Sequence, residues 1–380
     1  LAVAAQPIQL VAYGEVVTLI CGVLKGHTAC CGQHTENILV FAAGGAGGVG
    51  LVEVGELDTL ICQAVEGGRP HRVDDLAGEG LRGDEDQILA RKQTGKGILL
   101  GGGQRLDIGV DAVDGNHTGV GSDRFKIGPL KMLGDGALGA RTAFLSTPYA
   151  DMPDTRGISV FSQETFDERI GLANREGMQV AIHAIGDACL DRVLSAIDKA
   201  LTEHPREDHR HGIVHCQITR EEQLREIATK KLHVYAQSIF LDYDIAIVGD
   251  RVGAERAATS YSWKTLMQLG ATVSNGTDAP VEQPFALGGI QCSVTRSTLK
   301  NDIAPYLPHE AFTVQEALDS YTSQGAYASF EEHSKGQIKL GMLADFVVLD
   351  RDPFAVDPHH IKDIKVLATY LDGKNVYSSK

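Results

Sequence analysis

The chain has 380 residues, 43% of them hydrophobic, and a formal net charge of −15. That is apolar mass enough for one large barrel with a small accessory domain, or for two or three ordinary domains. The acidic balance argues against a general nucleic-acid or anionic-membrane binder, and no apolar run is long enough to span a bilayer.

Residues 1–12 lack the basic stretch of a signal peptide. Seven Cys are scattered, with Cys30 and Cys31 adjacent and no CxxC pair, which reads as reduced thiols and a cytoplasmic compartment. Residues 1–120 are anomalous: they hold 23 of the 43 Gly, only two aromatics (Tyr13 and Phe41) and no Met. Runs at 16–20 and 37–41 have strand character, but glycines interrupt the pattern and no ordinary helix can be placed. Gly45, Gly47 and Gly50 match a dinucleotide-binding Gly-x-Gly-x-x-Gly turn, with Glu66 as a possible ribose acid. That reading needs a helix over 51–60, where the sequence is short, contains Gly55 and is not amphipathic; in so Gly-rich a stretch a chance match is the expected origin.

From residue 125 the pattern becomes regular. A strand over 127–133 precedes a long loop, a helix over 163–176, a strand over 179–183 and an amphipathic helix over 187–201. A strand at 213–215 leads to a helix over 219–229, where Thr219 and Glu222 have capping-box spacing. Strand 232–236, helix 263–269, strand 272–274 and helix 314–330 follow. Residues 336–350 and 365–377 read as strands of a small β unit, with Asp372-Gly373 as a hairpin turn. Strands alternating with helices predict a parallel sheet, and polar residues gathered at strand C-terminal ends match where a (β/α)8 barrel builds its active site.

Four of those polar residues form a metal-site layout. Lys131, His183 and His215 stand in or at the ends of apolar strands, and Asp278 follows the strand at 272–274. Two neutral imidazoles with anionic oxygen suit a divalent metal such as zinc. A buried Lys131 would have a depressed pKa, and its neutral amine can take up CO2 to become a carbamate, an oxygen ligand. Each residue alone has a plainer reading. Lys131 could snorkel or pair with Asp135, each His could be a satisfied core group, and Asp278 could start a turn. Their joint occurrence on successive strands favours the metal reading, with Asp278 as ligand and general base.

Residues 122–380 resemble the YtcJ-like branch of the metal-dependent amidohydrolase superfamily (amidohydrolase family 3). The resemblance rests on Lys131-Met-Leu-Gly-Asp-Gly-Ala-Leu-Gly-Ala-Arg-Thr-Ala143, Ile182-His-Ala-Ile-Gly-Asp-Ala188 and Arg210-His-Gly-Ile-Val-His215. Asn275-Gly-Thr-Asp-Ala-Pro-Val-Glu282, Val294-Thr-Arg296 and Gly341-Met-Leu-Ala-Asp-Phe-Val-Val-Leu-Asp350 complete it. It implies an α/β fold of the (β/α)8 TIM-barrel type, with a small β-sandwich from both chain ends. It also implies one or two divalent ions and hydrolysis of C–N bonds in small amide-type substrates. By position, Lys131 would be a carboxylated bridging ligand, His183 and His215 ligands from the fifth and sixth strands, and Asp278 the eighth-strand ligand and base. Asp135 and Arg141 would shape the site beside Lys131, and Arg296 would contact substrate.

The chain departs from the family pattern in its first third. His27, His34, His71 and His117 include no His-x-His pair, and Val214 stands where the family has Glu. His209-Arg-His211 has that spacing but lies in a charged loop and is expected to be solvated. Residues 1–120 are a divergent barrel half, a fused module or the product of a shifted reading frame, and their composition favours the last. The expected organisation is therefore an anomalous segment (1–120), barrel strands four to eight (121–332) and part of the β-sandwich (333–380). A homo-oligomer is compatible. The rivals are a non-catalytic barrel without the His-x-His pair, and a dinucleotide-binding module fused to a barrel.

Overall fold

The computed structural model of the chain describes residues 117–122 and 125–379, preceded by the backbone of three short strands: β1 (Val49–Val52), β2 (Gly97–Leu99) and β3 (Arg105–Asp107). The strands expected at 16–20 and 37–41 lie outside the described residues, as do Gly45, Gly47, Glu66, Cys30 and Cys31. β1 places Gly50, Leu51 and Val52 in a strand, where a dinucleotide turn would need a helix to begin.

β4 (Gly121–Ser122) pairs antiparallel with the start of β5 (Phe125–Leu133). The chain then alternates: α1 (Gln163–Arg175), β6 (Val180–Ala184), α2 (Asp187–Glu203), β7 (Gly212–His215), α3 (Glu221–Thr229) and β8 (His233–Ala236). After β8 come the short α4 (Leu241–Asp244), α5 (Val248–Ala257), α6 (Trp263–Gln268), β9 (Thr272–Asn275) and α7 (Ala286–Thr295). The strands β1-β5-β6-β7-β8-β9 lie side by side in one parallel sheet. With helices between successive strands, this is an α/β barrel-like fold.

Local sequence explains the helices. Ser162 caps α1 by accepting from the Thr165 amide at 3.3 Å, and Gly177 follows its end at φ +78°, a left-handed turn that glycine adopts without strain. α2 buries Leu190, Val193, Leu194, Ile197 and Ala200, a stripe at three- and four-residue spacing that faces the sheet. α3 begins later than its sequence signal. The Thr219 hydroxyl donates to the Thr259 carbonyl, the Thr259 hydroxyl donates back to that of Thr219, and the cap is formed by the Arg220 amide donating to Gln223 Oε1. Tertiary pairing of the two threonines outcompetes the Thr219–Glu222 capping box.

The single helix expected over 314–330 is two, α8 (Val314–Tyr321) and α9 (Ser323–Ala328), broken at Thr322, whose hydroxyl donates to the Leu318 carbonyl. β10 (Phe346–Leu349), β11 (Val366–Leu371) and β12 (Lys374–Ser378) form an antiparallel three-stranded sheet. Asp372 and Gly373, both at positive φ, make its hairpin turn.

Cross-strand register sorts the sheet's two faces. Leu130, Met132, Val180, Ile182, Ile213, Val234 and Val273 belong to the large core shared with the helices. The alternate positions Lys131, Ala181, His183, Gly212, Val214, His233, Tyr235 and Ser274 fall on the opposite, concave face. There Tyr235 lies over Gly212, where an added Cβ would sit 2.4 Å from the ring.

Candidate functional site

Lys131 is on the concave face and buried, and that burial pushes its amine down to about 8, against the opposing pull of the Asp278 carboxylate. One strand over, His183 pairs in register with Leu133 at the C-terminal end of the sheet. By alternation His215 should point with Ile213 toward the helices. Its φ of +76°, followed by +51° at Cys216, turns the chain, and the ring meets that of His183 with centroids 4.4 Å apart. Asp278, also at positive φ, brings Oδ2 to 3.9 Å from His215 Nε2.

Each imidazole has its tautomer set by a fixed acceptor. His183 Nε2 donates to the Gly136 carbonyl at 3.1 Å, so its lone pair is on Nδ1. His215 Nδ1 donates to Gln237 Oε1 at 2.8 Å, so its lone pair is on Nε2, the nitrogen facing Asp278. Burial, with His183 and Lys131 close by, holds the His215 pKa well below the usual histidine range. Burial also raises the Asp278 carboxyl, opposed by Lys131 and His183. Phe240 stacks on His215 at 5.8 Å, and the Trp263 indole N–H donates to the His215 carbonyl at 3.0 Å, so the ring and its strained backbone are both held.

Lys131, His183, His215 and Asp278 are therefore brought together. Among the described residues no three His, Cys, Asp or Glu side chains converge closely enough to hold an ion by themselves. The donor chemistry nonetheless fits a divalent ion, with two imidazoles, each with one ring nitrogen free of protein hydrogen bonds, beside a carboxylate and an easily neutralised amine.

The other expected residues lie differently. Asp135 is fully engaged: Oδ1 accepts from the Ile185 amide at 3.0 Å and Oδ2 from the Phe144 and Gly186 amides at 2.8 Å, with His183 Nε2 at 3.3 Å. It pins the loops around His183. Arg141 makes a two-pronged pair with Asp151, and Arg296 is buried, donating to the Tyr306 and Tyr261 carbonyls. Neither hydrogen-bonds or ion-pairs with the four central groups. His209 and His211 correct the expectation of a solvated pair. Both are buried, His211 Nδ1 accepting the Val180 amide and Nε2 bonding Asn174 Oδ1. Gln237 was not singled out by sequence; its only signal is a polar side chain just past the apolar β8.

The amidohydrolase family pattern matches residues 66–377. The chain belongs to the amidohydrolase family. The match begins inside the compositionally anomalous segment. This amidohydrolase-family chain is 39% identical over 254 residues to the putative amidohydrolase YtcJ of Bacillus subtilis, covering 66% of this chain and 47% of that protein. It is 27% identical over 218 residues to the N-substituted formamide deformylase of Arthrobacter pascens, covering 57% and 40% respectively. The crystal structure of an uncharacterized metal-dependent hydrolase from Pyrococcus horikoshii superimposes with a TM-score of 0.59 at 31% identity, over 66% of this chain and 50% of that one. The chain thus spans about half the length of the curated relatives it matches.

Proposed function

We propose that the chain carries the metal-binding half of a hydrolase that cleaves C–N bonds in small, non-peptide amides. Lys131, His183, His215 and Asp278 hold a divalent ion, zinc being the best fit to imidazole and carboxylate donors. The observation that carries the reading is the pair of fixed tautomers, which leaves Nδ1 of His183 and Nε2 of His215 free at adjoining strand ends. When bound, the ion supplies Lewis acidity that acidifies water and polarises a carbonyl.

The residues supply the rest. Gly136 and Gln237 keep the rings oriented, and Phe240 shields one face of His215 from water. Asp278 takes the proton of the attacking water and returns it to the departing nitrogen, so that amide and water become carboxylic acid and amine. A carboxyl raised by burial suits both transfers. Lys131 as a carbamate adds the missing anionic oxygen, and its lowered pKa leaves the amine neutral enough to react with CO2. The family fold extends the parallel sheet to a closed eight-stranded barrel and completes β10–β12 into a sandwich. The formamide named for the Arthrobacter relative makes N-substituted amides a reasonable first class of substrate.

Elemental mass spectrometry of the purified protein after incubation with zinc and bicarbonate tests the reading. About one equivalent or more, lost in Lys131→Ala together with the mass of bound CO2, is expected. Metal-free protein, with no CO2 on Lys131, would falsify it.

A further inference from the structure

β9 ends on a polar residue that the hydrolytic step does not touch. Asn275 pairs in register with Ala236 and, by alternation, shares its side of the sheet with Val273, a member of the apolar core under the helices. An amide buried there, at 5% exposure, is costly unless it is bonded at both ends. Both ends are bonded: Oδ1 accepts from the Ser238 amide at 2.9 Å, and Nδ2 donates to Ser320 Oγ at 3.2 Å. Ser320 donates in turn to the Ala317 carbonyl at 2.7 Å, which anchors the amide in α8.

What Asn275 holds is the turn that carries Gln237. The Gly276 amide donates to the Ala236 carbonyl at 2.9 Å on one side of Gln237, and Asn275 Oδ1 takes the Ser238 amide on the other. The peptide groups flanking the Gln237 Cα are thus both fixed by the Asn275–Gly276 step at the end of β9. With φ at −129° and ψ at 77°, the Gln237 side chain reaches His215 Nδ1 at 2.8 Å, and its carbonyl accepts the Phe240 amide at 3.0 Å. Phe240 is the ring stacked on His215. The acceptor that sets the tautomer of His215 and the ring against its face leave from the same turn.

We infer that Asn275 is a positioning residue for His215: by fixing the Gln237 turn it keeps Nε2, the nitrogen facing Asp278, free of a proton. Its side-chain bonds go to Ser238 and Ser320, not to His215 or Asp278, so it acts through Gln237. The consequence for metal binding rests on the hydrolase reading, but the hold on the ring does not. A leucine would fill the same core position with better apolar contact, yet it would leave the Ser238 amide without its acceptor and the turn free to move.

The test reads the ring directly. Nitrogen-15 NMR of the full, metal-free chain with labelled histidine separates a protonated ring nitrogen from a bare one, and His215→Gln identifies the His215 signals by their loss. The wild type is expected to show one tautomer, with the proton on Nδ1. Asn275→Ala should bring in the other tautomer and weaken zinc binding about tenfold. Asn275→Asp, which keeps an acceptor for the Ser238 amide, should restore the wild-type ring. Ser274→Ala, one residue earlier, loses a 2.8 Å bond to His233 on the concave face and should leave the His215 ring as it is. A His215 tautomer indifferent to Asn275→Ala, an equal change in Ser274→Ala, or no restoration in Asn275→Asp overturns the inference. So does a failure of both Asn275→Ala and the milder Asn275→Ser to fold, which would make the amide a matter of stability alone. A shifted tautomer in a protein that takes up no zinc retains the positioning role and sinks the hydrolase reading. Zinc uptake with an unshifted ring does the reverse.

Discussion

At the scale of single residues, the site depends less on which side chains are present than on which nitrogen of each ring is free. His215 has one acceptor, Gln237 Oε1, holding its proton on Nδ1. Gln237→Leu preserves volume but removes that acceptor, releasing the ring to the other tautomer and placing a proton on the nitrogen that faces Asp278. The variant should fold normally yet bind zinc about 10- to 100-fold more weakly, the usual cost of losing such an orienting partner. Competition with a coloured chelator measures it, and undiminished affinity would show that Gln237 sets nothing. Lys131 answers to pH in the same region. Its amine, lowered to about 8 by burial, is mostly protonated below that value and mostly neutral above it. CO2 uptake by the metal-free protein should therefore rise as pH increases through about 8, as read by carbon-13 NMR with labelled bicarbonate. Uptake that stays flat across that range would mean that the Lys131 amine does not react.

At the scale of elements, Asp135 does the joining. It sits two residues past β5, yet its three acceptor bonds go to the Phe144 loop and to the turn between β6 and α2. Gly186 in that turn lies so close to the Phe144 carbonyl that an added Cβ would be 2.1 Å from its oxygen. Asp135→Ala leaves three amides without their acceptor in a packed junction and should destabilise the protein by roughly 3–5 kcal/mol. Asp135→Asn, which keeps an acceptor, should lose less; chemical denaturation of both variants separates the two effects, and equal losses would show that the amides gain little from the carboxylate. Strand-and-helix alternation from β5 to β9 was legible because each strand is a largely apolar run with a polar residue at or just past its end, Asp135, His183, His215, Gln237 and Asn275 in turn. The register that puts Lys131 beside Ala181 was not, nor was the backbone turn that swings His215 inward, because both depend on contacts distant in sequence. The same holds for the break at Thr322, where the apolar spacing runs on while the threonine hydroxyl bonds back to Leu318. His209 and His211 were misread because their charged neighbours, Asp208 and Arg210, look solvated. Arg210 is in fact packed between the Tyr327 and Phe330 rings at 4.0 and 4.1 Å, with Asp208 and Glu332 pairing its guanidinium.

At the scale of the whole molecule, these buried histidines make folding stability depend on mild acid. Burial lowers His209 and His211, and brings His233, held between the Thr272 and Ser274 hydroxyls, down to about 3. In the unfolded chain each takes a proton near 6.5, whereas folded His233 stays neutral until about 3. The unfolded state therefore binds more protons through this window, and stability present above 6.5 is lost as pH falls. Asp244 works the other way. Its buried carboxyl, raised to about 6, is protonated in the folded state before the unfolded one, which returns stability as pH drops from 6 toward 4. Exposed carboxylates with lowered pKa values contribute only below about 4. The lowered histidines His209, His211, His215 and His233 outnumber the raised carboxyls Asp244, Asp278 and Glu282, so stability falls as pH drops from 6.5 to 5, with His233 alone contributing a slope that approaches about 1.4 kcal/mol per pH unit. Urea midpoints measured on metal-free protein from about pH 7.5 to about pH 4.5 should show that fall. His233→Gln should be less stable near neutrality, having lost a well-packed ring, yet its slope should be shallower by about one histidine's share. A wild-type midpoint that does not move over this range would mean that these rings are not held neutral inside the fold, and the buried polar network beneath the site would have to be redrawn.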